Sequence, residues 1–274
     1  MSVYRGMDQA ALDAAYNNTA AVADSARVVA DWERRSAAVV AAHPGHLDLR
    51  YGPRDRNRLD YFAAPGEGAP VLVFIHGGYW QMRAKEIFRF LAAGPLAHGI
   101  HVANVGYTLA PEATLQEIVD EVQRAIEWVA ANAGTYGGNP ARVYVSGWSA
   151  GGHLTAMSLA HPAVRGGLAI SGIFDLEPIR SSYLNEKLKL DAADVARLSP
   201  LTNLRQPSAP LVVAYGTAEL PELKRQSREY AAARKHAELS SRVAALEDHN
   251  HFSILEELAK PQGALTALVC DMTA

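Results

Sequence analysis

Ser149 stands in Gly147-Trp148-Ser149-Ala150-Gly151, a G-x-S-x-G pentapeptide. Val143, Tyr144 and Val145 just before it are β-formers, and His153 to Ala160 after it suit a helix. The serine therefore falls on a strand-to-helix turn, a strained elbow that lifts its hydroxyl out of a sheet toward a base. The same turn aims the Ala150 N–H and the start of the helix at any oxyanion forming beside the serine. A hydroxyl is a weak nucleophile near neutral pH. It needs an imidazole to take its proton and a carboxylate to hold that imidazole in the right tautomer. The chemistry implied is acyl transfer.

Candidate partners lie downstream. Glu219 follows the apolar run Leu211 to Tyr215, and His251 follows Arg242 to Leu246. The order Ser149, Glu219, His251, each after a successive strand, is that of an α/β-hydrolase triad. His249 is the rival base; Glu222, Asp175 and Asp248 are rival acids. The run Asp248-His249-Asn250-His251 also offers a zinc ion two imidazoles and a carboxylate, but no further ligand motif accompanies it. Neither a metal nor a cofactor is expected.

Upstream, the apolar run Val71 to Ile75 leads straight into His76-Gly77-Gly78-Tyr79-Trp80. Glycines just past a central strand free backbone N–H groups to face a ligand, and in this layout such a loop supplies the remaining oxyanion donors. Gly77, Gly78 and Tyr79 are therefore the candidate donors alongside Ala150. His76 reads as a brace for the loop. Tyr79 and Trp80, with Trp148 of the elbow, are candidate walls of a substrate pocket.

The rest of the chain must position these groups. Residues 8–42 read as helix in two pieces, broken near Asn17-Asn18-Thr19 and ended by His43-Pro44-Gly45. This arm, residues 1–45, is expected to pack as a helical appendage, with covering part of a site as the alternative. Residues 46–51 and 58–63 read as an antiparallel opening to the sheet. A buried strand at 71–75, a helix over 84–98, a strand at 100–105, a helix over 114–133 and the elbow strand follow. After a strand at 167–170, residues 176–207 form no single clean element beyond a helical piece at 191–197; they are either a small lid or an irregular connection. Strands at 211–215 and 242–246 flank a helix over 221–238, and a last helix runs to Lys260. Alternating strands and helices, with strands apolar throughout, imply one α/β domain with a mostly parallel central sheet and helices on both faces.

Composition fits that reading. The chain has 274 residues, 49% of them hydrophobic, enough for a sizeable core. Lys plus Arg number 26 against 29 Asp plus Glu, a net charge of −3. Without a basic cluster, neither nucleic acid nor an anionic membrane is an expected partner. The lone Cys270 can form no internal disulfide. Asp8 and Asp13 interrupt the N-terminus, which lacks the apolar core of a signal peptide, and no apolar run would span a bilayer. The expectation is a cytoplasmic protein acting on a small-molecule substrate, with a homodimer left open.

These residues together resemble the α/β-hydrolase superfamily, its hormone-sensitive-lipase-like branch, and more nearly the kynurenine formamidases (arylformamidases). The likeness rests on the H-G-G-x-W loop at His76 to Trp80, the elbow from Gly147 to Leu154, and an S-G-x-x-D-L-x-P stretch at Ser171 to Pro178. Tyr107 to Pro111 is similar to a loop of the wider branch. The likeness covers residues 55 to 260. It implies hydrolysis of N-formyl-L-kynurenine to kynurenine and formate, with Ser149 attacking the formyl carbon and His251 relaying the proton. Gly78, Gly77 or Tyr79, and Ala150 would hold the oxyanion. The family more often carries aspartate at the acid position, so the longer Glu219 implies a different local loop. Arg83 and Arg180 are candidate partners for an amino-acid carboxylate. Aryl or short-chain esters and amides are the alternative substrates, and a ligand receptor that has kept the triad is the reading from another class.

Overall fold

The computed structural model describes residues 2–274. Eight strands form one sheet: β1 (His46–Arg50), β2 (Arg58–Phe62), β3 (Ala69–Ile75), β4 (His101–Val105), β5 (Gly138–Trp148), β6 (Val164–Ile170), β7 (Leu211–Gly216) and β8 (Ser241–Leu246). Their spatial order is β1-β2-β4-β3-β5-β6-β7-β8. β2 runs antiparallel to both its neighbours, and the pairs from β4 to β8 are all parallel. β3 and β5 are neighbours with Ile75 opposite Gly147, so the loop after one strand and the elbow after the other emerge side by side. Such a crevice at the carboxyl ends of parallel strands is where open α/β sheets bind ligands.

The period of two along each strand divides the core. Val71, Val73 and Ile75 of β3 face one apolar cluster with Ile118, Val122 and Leu154, while Leu72 and Phe74 face the other with Trp32, Phe88 and Val269. The helices Leu115–Asn132, Ala150–Ser158 and Pro221–His236 cover the first face. Thr114 and Glu117 close a reciprocal capping box at the start of the first of these, and Pro221 opens the last. The second face is covered by α2 (Ser25–Ala42), the segment 85–96, and the C-terminal helix Ala264–Thr273.

Three elements differ from expectation. The run expected as one helix over 84–98 is a 3-10 helix at Lys85–Ala92 followed by a short α-turn at Ala93–Leu96. Residues 176–207 carry three short helices, Glu177–Arg180, Asn185–Leu188 and Ala192–Leu198, rather than one. The helix Ala264–Thr273 was not anticipated, although Leu265 and Val269 stand one helical turn apart and are both fully buried. Among the described residues no helix is long and apolar enough to cross a membrane.

Candidate active site

The elbow has the backbone its sequence demands. Ser149 adopts φ 58° and ψ −118°, a sparsely populated conformation held by its surroundings. A Cβ on Gly147 would sit 2.2 Å from the Gly151 carbonyl oxygen, and one on Gly151 would sit 2.0 Å from the Ile75 oxygen. Only glycine lets the turn close on itself and onto the end of β3. The Ser149 N–H donates to the Ile170 carbonyl at 2.8 Å, tying the elbow to β6.

The loop after β3 packs against it. Gly78 has φ 115°, and its carbonyl accepts from the N–H groups of both Gln81 and Met82 at 2.9 and 3.0 Å. The ring of His76 lies flat between Tyr107 and Phe88, with centroids 4.2 and 5.8 Å away, and its Nδ1 pairs with the Gly77 carbonyl at 2.7 Å. Burial pushes its pKa down to about 3, so it is a neutral brace. The turn leaves the backbone N–H groups of Gly77, Gly78 and Tyr79, and that of Ala150 at the elbow, without an acceptor among the described residues.

Glu219 lies in the turn after β7 and His251 in the segment after β8. Glu219 Oε2 is 3.1 Å from His251 Nδ1. Its other oxygen, Oε1, accepts from Ser171 Oγ at 2.6 Å and from the Gly216 N–H at 2.7 Å. With Nδ1 hydrogen-bonded to the carboxylate, Nε2 of His251 is the basic nitrogen. The Trp148 indole N–H donates to the His251 carbonyl at 2.8 Å, and the two rings lie 4.8 Å apart, so the residue beside the serine braces the imidazole. No hydrogen bond joins Ser149 to His251, but both line one cavity with Gly78, Tyr79 and Trp148. Apo sites commonly tighten this contact only when substrate is bound.

The rivals go elsewhere. Asp175 accepts from Tyr4 Oη, and Glu222 holds Arg225 and Tyr16. Asp248 is exposed at φ 59°. His249 lies 3.9 Å from Glu257 while His251 takes Glu219, so the two imidazoles diverge. Among the described residues no three His, Cys, Asp or Glu side chains gather as a metal site.

One expectation about the walls needs correction. Trp80 does not line the cavity: it is fully buried in the core cluster that holds Leu154 and Tyr107, edge-on to His153 at 5.0 Å. Nor does any residue of 176–207 line it. Asn18 and Thr19 of the arm do line it, with Ser149. The arm also packs on the domain. Trp32 of α2 is fully buried and meets Trp148 edge-on at 5.8 Å.

The cavity beside Ser149 is about 20 Å³, little more than a water needs. Thr19 and Met82 line it and are exposed, so they form its mouth. Arg83 lines it too, its guanidinium 5.9 Å from the Trp148 ring centre and 5.7 Å from that of Phe252. Burial lowers the Arg83 pKa from its usual value, and Glu33 opposes this only through space. Arg180, the other candidate for a carboxylate, is instead held by Glu177 at 2.5 Å and lies outside the cavity. A serine, a carboxylate-held imidazole and backbone N–H groups without acceptors, gathered at one crevice, can carry out acyl transfer.

Residues 59–164 match the BD-FAE family model. The chain is similar to the kynurenine formamidase of Danio rerio, 34% identical over 241 residues that span 82% of this chain and 81% of that protein. It is also similar to the esterase LipQ of Mycobacterium tuberculosis, 28% identical over 69% of this chain and 52% of that one. Among solved structures, a candidate thioesterase of Silicibacter sp. superposes with a TM-score of 0.85 at 30% identity, covering 94% of this chain and 98% of that one. These relatives are hydrolases of the arylformamidase and esterase kind.

Proposed function

Because the chain belongs to the kynurenine formamidase family of α/β-hydrolases, we propose that it is a serine hydrolase that removes the formyl group of N-formyl-L-kynurenine. The observation that carries this reading is the pairing of Glu219 with His251 at 3.1 Å, where His251 shares one cavity with Ser149, Gly78 and Tyr79. Ser149 Oγ attacks the formyl carbon while His251 Nε2 takes its proton. The N–H groups of Gly78 and Ala150, with Gly77 or Tyr79, hold the oxyanion. As the tetrahedral adduct collapses, the C–N bond breaks and His251 gives the proton to the aniline nitrogen. A water activated by the same imidazole then attacks the formyl-enzyme and releases formate. No step calls on a cofactor.

The likeness to LipQ keeps a short-chain esterase as the second reading.

Paired kinetics on N-formyl-L-kynurenine and p-nitrophenyl acetate, with wild type and Ser149→Ala, test both readings. The formamide is expected to have the higher kcat/KM, and Ser149→Ala to lower both activities by roughly 10⁴-fold or more. Turnover of the ester alone would make the protein an esterase. Activity retained by the alanine variant would remove Ser149 from the mechanism. A protein with no turnover that also resists a serine-directed fluorophosphonate would be a receptor on this fold.

A further inference from the structure

Asn18 is an unusual wall for a hydrolase cavity. It comes from the unstructured link between α1 (Gln9–Ala15) and α2, yet it is 96% buried, with a relative exposure of 4%. Its amide orientation follows from its neighbour. Tyr79 Oη has one proton, and it donates that proton to the Tyr16 carbonyl at 2.6 Å. Toward Asn18 the phenol can therefore only accept, which places Asn18 Nδ2 against it at 3.0 Å. Asn18 Oδ1 is left buried with no partner. A buried acceptor kept unpaired is costly unless something supplies a donor in the working state.

Arg83 poses the complementary problem. It is the only Lys or Arg lining the cavity, no Asp or Glu lines it, and no carboxylate among the described residues pairs with the guanidinium. Two aromatic rings carry it instead. A partly desolvated cation with no counter-ion favours an anion, and the planar guanidinium matches a carboxylate.

We propose that Arg83 and Asn18 read the zwitterionic head of an α-amino acid, Arg83 taking its carboxylate and the Asn18 amide oxygen its ammonium group. The proposal rests on the formamidase reading and adds to it the residues that select an amino-acid formamide over a simple formanilide. It also gives the arm a direct part in recognition. The carboxylate is drawn in by a charge the fold leaves unpaired, and the ammonium completes a hydrogen bond the fold leaves unmade. A ligand enters by widening the mouth at Thr19 and Met82, while Asn18 stays anchored on Tyr79.

Binding to the Ser149→Ala protein tests this without turnover. Titration calorimetry would compare N-formyl-L-kynurenine with 2-formamidoacetophenone, the same aryl formamide without the amino-acid head. The headed ligand is expected to bind about 100-fold more tightly. Adding Arg83→Gln or Asn18→Ala should each cut that ratio about 10-fold or more, whereas Arg83→Lys, which keeps the charge, should retain part of it. Melting curves of each variant report whether it is folded. Equal affinity for the two ligands, no binding of either, or a ratio that survives Arg83→Gln in folded protein would overturn the proposal. If the ratio holds but wild type hydrolyses neither ligand, the formamidase reading falls and the amino-acid pair stands.

Discussion

Glu219 meets three donors, the imidazole of His251, the hydroxyl of Ser171 and the Gly216 N–H, and each fixes a different degree of freedom of its carboxylate. Glu219→Gln keeps the shape but offers His251 an amide that cannot stabilise an imidazolium. We expect kcat to fall by roughly 10³- to 10⁴-fold with KM changed little, measured by steady-state kinetics. Ser171→Ala leaves Oε1 with one donor, and a loss of roughly 10-fold in kcat is expected, as for a hydrogen bond to a charged group. The positions of Ser149, Glu219 and His251 were legible because each follows an apolar run that marks a strand end, and chain order then limits the roles. The length of Glu219 is accommodated by the turn itself, which begins at Gly216 and lends that N–H to the carboxylate. Ser171 stood in a recognised motif, but nothing local indicated its role, since its partner lies 48 residues away. Asn18 was equally silent, because its anchor Tyr79 is 61 residues distant. Side chains that work through contacts so remote in sequence leave no periodicity to detect.

Among the elements, α2 bears on the site through Trp32. Its ring stacks on Phe90 and Phe252 and meets Trp148 edge-on, while its indole N–H donates to Glu256 at 2.9 Å. Trp32→Ala would open a large cavity under the elbow and is expected to cost about 3–5 kcal/mol, read by denaturant unfolding. Activity should fall as well, because Trp148 loses the ring that backs it and His251 depends on Trp148. The parallel strands were plain in the sequence because both faces are buried and their apolar runs are continuous. The segment from Lys85 was less so. Lys85 is anchored between Asp48, Asp60 and Glu86, a cluster assembled from three separate stretches of chain, and no local pattern announces such an anchor. The short helices between Glu177 and Leu198 likewise owe their form to tertiary partners, such as the His153 Nε2 bond to the Leu198 carbonyl at 2.8 Å.

At the scale of the whole molecule, the buried imidazoles of His76 and His153, both kept neutral, set much of how stability responds to acid. Burial lowers the pKa of His153 to about 4 and that of His76 to about 3, against 6.5 for an ordinary histidine. Above pH 6.5 both are neutral whether the chain is folded or not. As pH falls below 6.5 the unfolded chain takes up protons that the folded one refuses, so stability is lost progressively toward pH 4. Tm is expected to drop by roughly 10 °C between pH 7 and pH 4.5. His153→Gln, which can still donate to Leu198 but cannot titrate, should flatten part of that slope in calorimetric scans. The arm has a different consequence. Tyr16 bonds to Glu222, Arg5 to Glu229 and Trp32 to Glu256, each more than 200 residues further along the chain. On a ribosome adding roughly 5–20 residues per second, the arm must wait roughly 10–40 s for the segments it docks on. Until then neither the wall at Asn18 nor the imidazole at His251 is in place, so the two sides of the cavity, far apart in sequence, come together in one late step of folding.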